Sequence, residues 1–353
     1  MSLSPHDLIE APFAWTRADL EADESWIYRI DEDDKIDIDE ALQAVKARDR
    51  IWGEFSREEF PLGRFGVKLE AIEREIREGR GVVLIRDFPV DRYGLDDIKT
   101  IYWGLGCHLG TVISNNVQGE FVSAVVDQGV KVDDENRRGN TTSRLLDPHT
   151  DPSDIVVLLC MEKAKEGGMS SLASAIAVHN EIVKTHPEYL ASLHRGFRRD
   201  SRGNGPTGDP NEVSPPIPVF DIAEDVLSCS YGRQVILKGA LKAGDELSST
   251  ERDAIDAIRD LALRSDLRVD MMLEPGDIQI INNFRTLHSR SEYVDHEDGR
   301  KRYLLRMWIN MHSGSPLSPA FAAYVRRGIL PRAGRGDHAV GGGVLDTSAD
   351  PGH

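Results

Sequence analysis

Three cysteines in 353 residues, Cys107, Cys160 and Cys229, are too few and too widely spaced for a disulfide framework or a zinc site. Each lies in an apolar context, which predicts reduced, buried thiols. Basic residues are also scarce, 43 against 60 acidic ones, for a net charge of −17. An acidic surface of that size disfavours nucleic acid as a partner and favours solubility. No apolar run approaches the ~20 residues of a membrane span. The opening Met-Ser-Leu-Ser-Pro-His-Asp has no basic stretch leading into an apolar core. Neither an internal repeat nor a coiled-coil heptad is present. These absences point to a cytoplasmic protein that acts on a small molecule, with no membrane partner.

What is present divides the chain into a few stretches. Residues 1–80 carry Trp15, Trp26, Trp52 and Phe55 among many charges, with helical spacing over 36–51 and 69–76. They read as a helical extension packed on a core that begins near residue 81. Strand-like runs are expected at 82–86, 155–160, 219–222, 226–231, 267–273, 277–281 and 302–310, and helices at 95–105, near 176–193, and from a cap at Ser248 or Ser249. Two long polar segments, about 128–145 and 200–218, lack apolar periodicity and are candidate lids over a pocket. Beyond residue 330 the tail contains Gly341-Gly-Gly343 and has no means of building a core, so 331–353 reads as disordered.

Chemistry concentrates in two short segments, Asp147-Pro-His-Thr-Asp151 and Asn283-Phe-Arg-Thr-Leu-His288. Side chains two apart on an extended strand leave the same face, so His149 and Asp151 can converge, and His288 supplies a third ligand. Two imidazoles and a carboxylate leave open positions on a six-coordinate metal, the ligand set used by non-haem Fe(II) oxygenases. Both segments adjoin strand-like runs and turns, where a scaffold can aim side chains into a cleft. Arg302 follows His288 closely enough to anchor a distal carboxylate such as that of 2-oxoglutarate, since a guanidinium grips carboxylates through two charged hydrogen bonds. Arg306 returns to the same face of the strand as Arg302. Asn115 and Asn116, in Ser-Asn-Asn-Val-Gln118, are candidate pocket residues, with Asn116 the better choice for substrate. His108, His179, His194 and His312 have no partner at ligand spacing and read as structural or solvent-facing.

The order of these motifs, with Gly167-Gly-Met-Ser170-Ser-Leu-Ala-Ser, Leu273-Glu-Pro-Gly-Asp277 and Arg300-Lys-Arg-Tyr-Leu-Leu-Arg306, resembles the taurine dioxygenase and clavaminate synthase-like family over roughly residues 80–325. That resemblance implies a mainly β protein with helical additions (α+β), built on a double-stranded β-helix, or jelly roll, over 81–330. It also implies Fe(II), 2-oxoglutarate and O2 as cofactor and cosubstrates. His149, Asp151 and His288 match the family's iron ligands and Arg302 its 2-oxoglutarate arginine. Ser170 stands where many relatives have threonine, and neighbouring Ser171 is the alternative. Arg306 matches an arginine that meets the substrate's anionic group. The activity implied is hydroxylation of an unactivated C–H of a small, carboxylate-bearing molecule such as an amino acid. Desaturation or ring closure by the same oxidant, or a cupin-like metalloenzyme without 2-oxoglutarate, stand as alternatives.

Overall fold

An eight-residue run such as Ile155–Glu162 has to bury both of its faces. The computed structural model, which describes residues 3–10, 12–128, 142–326 and 328–329, shows how it does so. The larger sheet runs, neighbour to neighbour, Ile27–Arg29, Val82–Arg86, Ile278–Asn282, Ile155–Glu162, Tyr303–Asn310 and Thr111–Ile113, with Val122–Val125 also paired to Tyr303–Asn310. Alternate side chains take opposite sides. Val83, Ile85, Val157, Leu159, Ile278, Ile280, Leu305, Met307 and Ile309 pack against the helices Glu32–Lys46, Arg64–Glu78 and Leu95–Leu109. Val82, Leu84, Val156, Cys160, Ile281, Leu304 and Trp308 pack on the other side, against Leu172, Val269 and Met271 of a second sheet.

That second sheet has the order Arg268–Met271, Ser170–Ser174, Thr286–Arg290, Leu146–His149, all antiparallel. Its outward residues Ala173 and Leu287 join a cluster with helices Ala175–Thr185, Leu190–Arg195, Arg233–Ala243 and Ser249–Ala262. Each helix places an apolar stripe on its sheet. Phe65, Leu69, Ile72 and Ile76 recur at the helical period, and each is worth roughly 1.5–3 kcal/mol of burial. The start expected at residue 248 is realised as a capping box, Ser248 bonding the Glu251 N–H and Glu251 reaching back.

The structure corrects the sequence expectation in three places. Helices hold more of the described residues than strands do, because each sheet is covered on its outer face by a helical layer, so the protein is mixed α/β rather than mainly β. The segment read as purely helical also contributes Ile27–Arg29, which pairs in parallel with Val82–Arg86 at the sheet edge. A helix at Arg233–Ala243, unexpected from sequence, follows the hairpin of Phe220–Ala223 with Val226–Cys229. Most of the first candidate lid, residues 129–141, and the tail 331–353 lie outside the described residues. Cys107, Cys160 and Cys229 are free thiols, each pushed up to about 12 by burial. No helix among the described residues is long and apolar enough to cross a membrane.

Candidate active site

Strand pairing assembles the site. His288 lies directly opposite His149 in the register of the second sheet, and their rings stand 4.2 Å apart between centroids. Asp151 follows in the turn after Leu146–His149, which Asn283 pins. Asn283 Oδ1 accepts from the Asp151 N–H at 2.9 Å, and its Nδ2 donates to the carbonyls of Asp151 and Ser153. The imidazole Nε2 atoms of His149 and His288 approach Asp151 Oδ1 and Oδ2 at 4.0 and 3.7 Å, and one donor atom from each of the three residues falls within 4.8 Å of the others.

The donor set fits a metal ion. His149 Nδ1 lies 2.9 Å from the Asp147 carbonyl, so its N–H donates there and Nε2 keeps a lone pair for a ligand bond. Burial, then the neighbouring His288 ring, pushes His149 down to about 4 against the pull of Asp151, so the imidazole is neutral as a ligand must be. Burial alone would raise the Asp151 carboxyl. The Arg306 guanidinium and the two histidines overcome that and hold it well below the usual carboxylate range. Arg306 Nη1 lies 3.5 Å from Asp151 Oδ2, and Trp308 Nε1 donates to the same oxygen at 3.0 Å.

These residues line a cavity of about 620 Å³ that also takes in Ser170, Arg302 and Arg306. Leu304, Arg306 and Trp308 share one face of the strand Tyr303–Asn310, and Arg302, just before it, reaches the same cavity, the period-two placement expected from sequence. Arg302 is 5% exposed, packs over the Tyr293 ring at 5.2 Å, and makes no ion pair among the described residues; its buried Nη1 has no hydrogen-bond partner. Such a group suits an incoming carboxylate. Gly168 makes room for it: at φ +74° its missing Cβ would sit 2.9 Å from Arg302 Nε. Ser170 reaches the cavity and exchanges hydrogen bonds with Gln279 at 3.1–3.2 Å, whereas Ser171 turns to Asp270.

Asn116 is not brought to this site. Its Oδ1 accepts from the N–H groups of Gln118 and Glu120 at 3.1 Å and its amide donates to the Glu120 carboxylate, so the side chain is consumed in closing its own turn. Sequence reasoning also missed residues that matter. Trp308 and Asn283 hold Asp151, while Arg199, Arg202 and the first turn of Arg233–Ala243 form a further wall of the cavity. The only sequence signal for that wall was the polarity of residues 200–218.

The chain is an Fe(II)- and 2-oxoglutarate-dependent oxygenase. It belongs to the family described as taurine catabolism dioxygenase TauD, TfdA family, which matches residues 47–308. It is 32% identical over 305 residues to FR-33289 synthase of Streptomyces rubellomurinus, covering 85% of this chain and 89% of that one. It is 26% identical to L-asparagine oxygenase of Streptomyces coelicolor, over 65% of this chain and 71% of the relative. Among solved structures, asparagine oxygenase in complex with Fe(II), 3-hydroxyasparagine and succinate superposes with a TM-score of 0.62 at 18% identity, covering 81% of this chain and 93% of that one. The non-haem iron oxygenase OrfP with Fe and α-ketoglutaric acid superposes with a TM-score of 0.56 at 14% identity, over 80% and 94%.

Proposed function

We propose that His149, Asp151 and His288 hold the iron, that Arg302 with Ser170 binds the distal carboxylate of 2-oxoglutarate, and that Arg306 faces an anionic group of the substrate. The observation that carries this reading is the convergence of two imidazoles and one carboxylate in a cavity that also presents a buried guanidinium with no ion-pair partner. Iron bound there supplies oxidative decarboxylation of 2-oxoglutarate to succinate and CO2, with one oxygen atom of O2 inserted into a substrate C–H. The protein's residues position and exclude. Trp308 and Arg306 fix the Asp151 carboxylate, Asn283 fixes the backbone that carries it, the Asp147 carbonyl fixes one imidazole, and the apolar packing of the two sheets backs the floor of the site.

We read the two facing sheets as a jelly roll over residues 81–330, with 1–80 as an extension packed on it, and we place the protein in the cytoplasm on its free thiols, of which Cys160 and Cys229 are buried and Cys107 is partly buried. The substrate is a small carboxylate-bearing molecule, an amino acid or a related metabolite; asparagine oxygenase and OrfP, both solved with hydroxylated amino acids, support that class. The test is a metabolite screen scored by succinate formed per substrate consumed, with Fe(II), ascorbate and 2-oxoglutarate added. The parent should give a one-to-one ratio with its substrate, and Asp151→Ala should give no turnover while keeping its fold. Normal turnover and Fe(II) affinity in Asp151→Ala would overturn the ligand assignment.

A further inference from the structure

Within Ile278–Asn282, a strand buried along its whole length, Gln279 is a polar residue only 2% exposed. Its neighbours Ile278 and Ile280 pack on the helical side, so Gln279 leaves the opposite face, toward the second sheet. There its amide crosses the gap between the sheets to the Ser170 hydroxyl. Nε2 donates to Ser170 Oγ at 3.1 Å, Oε1 lies 3.2 Å from the same oxygen, and Nε2 also donates to Met271 Sδ at 3.1 Å. A buried amide costs folding free energy unless its groups are bonded, and a thioether is a weak acceptor. Ser170 is therefore the partner that matters.

Both ends of this strut are fixed. Ile278–Asn282 is paired on one side with Val82–Arg86 and on the other with Ile155–Glu162. Ser170–Ser174 lies between Arg268–Met271 and Thr286–Arg290. Ser170 lines the cavity and so does Arg302, whose guanidinium lies against Gly168, two residues before Ser170. Gln279 itself is not part of the cavity lining. Its amide stands behind a hydroxyl that borders the buried arginine.

A hydroxyl carries a single donor hydrogen and two acceptor lone pairs. The Ser170 hydrogen has two destinations within reach, Gln279 Oε1 or an acceptor in the cavity. A carboxylate wins that competition over an amide carbonyl, because a charged partner roughly doubles the strength of a hydrogen bond. With a carboxylate at Arg302 the hydrogen turns to it, while Gln279 Nε2 keeps its bond to Oγ, holds the oxygen in place and polarises the hydroxyl as a donor. We infer that Gln279 is a positioning residue for the cosubstrate: through the Ser170 hydroxyl it aims the hydrogen that the distal carboxylate of 2-oxoglutarate accepts. The inference rests on the proposed roles of Arg302 and Ser170, and it adds a residue that does not itself touch the cosubstrate.

Calorimetric titration of 2-oxoglutarate into the anaerobic Fe(II)-loaded protein tests it as a double-mutant cycle. Gln279→Met, which keeps the length of the side chain without its amide, should weaken 2-oxoglutarate binding roughly fivefold or more, and Ser170→Ala roughly tenfold. In the Ser170→Ala background Gln279→Met should add less than about twofold, because the hydroxyl it positions is gone. Gln279→Leu repeats the cycle if the methionine variant is unstable. 2-Oxovalerate, which has a methyl where 2-oxoglutarate has its distal carboxylate, should bind the parent and Gln279→Met equally. An equal loss in both backgrounds, an equal loss for both keto acids, or unchanged 2-oxoglutarate binding in Gln279→Met overturns the inference. Unchanged binding in both Arg302→Ala and Ser170→Ala overturns the cosubstrate assignment together with it, whereas losses in those two and none in Gln279→Met sink the positioning role alone.

Discussion

Asp151 is held by more partners than any other group in the site, and Arg306 is the one whose charge matters most. The pair is buried, at 11% and 12% side-chain exposure, so removing the cation leaves a carboxylate in a poorly solvated place. Arg306→Leu should therefore destabilise the metal-free protein by roughly 3 kcal/mol, and added Fe(II) should restore much of the loss by replacing the missing positive charge. Chemical denaturation with and without metal reads both effects. Arg302 behaves differently because it has no carboxylate of its own to strand. Arg302→Ala should leave stability nearly unchanged but cost about 2–5 kcal/mol of 2-oxoglutarate binding, a rise in Kd of roughly 30-fold or more, measured by titration of the Fe(II) protein. The sequence made His149, Asp151, His288 and Arg302 legible because ligand and anchor chemistry restricts residue type. It did not disclose Trp308 or Asn283, since an indole N–H placed to hold a carboxylate, or an amide placed to pin a ligand's backbone, looks the same in sequence as one placed to fill a core.

Among the elements, strands buried on both faces were the easiest to read, whereas Ser170–Ser174 and Thr286–Arg290 of the second sheet carried no such run. Ile155–Glu162, Ile278–Asn282 and Tyr303–Asn310 stand out because burial on two faces leaves an unbroken apolar run. Arg233–Ala243 stayed hidden for physical reasons: it has no side-chain cap and carries Gly239 in its middle, two features that ordinarily argue against a helix. Ile27–Arg29 was too short for periodicity to register. Gly239 is explained by contact rather than propensity, since the backbone of Arg198 and Arg199 passes where a Cβ would stand. Alanine would gain up to about 1 kcal/mol of helix propensity, but displacing a backbone segment typically costs ~1–3 kcal/mol. Gly239→Ala should thus lower the urea midpoint, and it should shift the loop carrying Arg199 and Arg202, visible as altered proteolysis at 200–218. An unchanged or raised midpoint would show that the loop moves away at little cost.

At the scale of the whole molecule, acid should act through two histidines outside the metal site as well as through His149 within it. His179 is fully buried, and burial followed by the neighbouring His194 pushes it down to about 4; His194 is likewise pushed to about 4 by burial, against the pull of Asp221. An unfolded chain binds these protons near pH 6.5, so the stability they contribute is present above that pH and is lost as pH falls through 4. A loss on the order of 3 kcal/mol for each histidine across that window is expected. His179→Phe, where the ring packs edge-on to Phe220, should flatten the profile in pH-dependent thermal denaturation. The cavity has unequal walls, and this bears on how such an enzyme could change its diet. Arg306 stands on a strand bonded on both sides and cannot shift without tearing the large sheet, and Arg302 directly precedes that strand. Arg199, Arg202 and the Gly232 turn hang from a loop and a helix end instead. Residues 199–218 and 233–238 can therefore be rewritten for new substrates with little disturbance to the wall proposed to hold iron and 2-oxoglutarate, provided that Gly232, which pairs with His149, is kept.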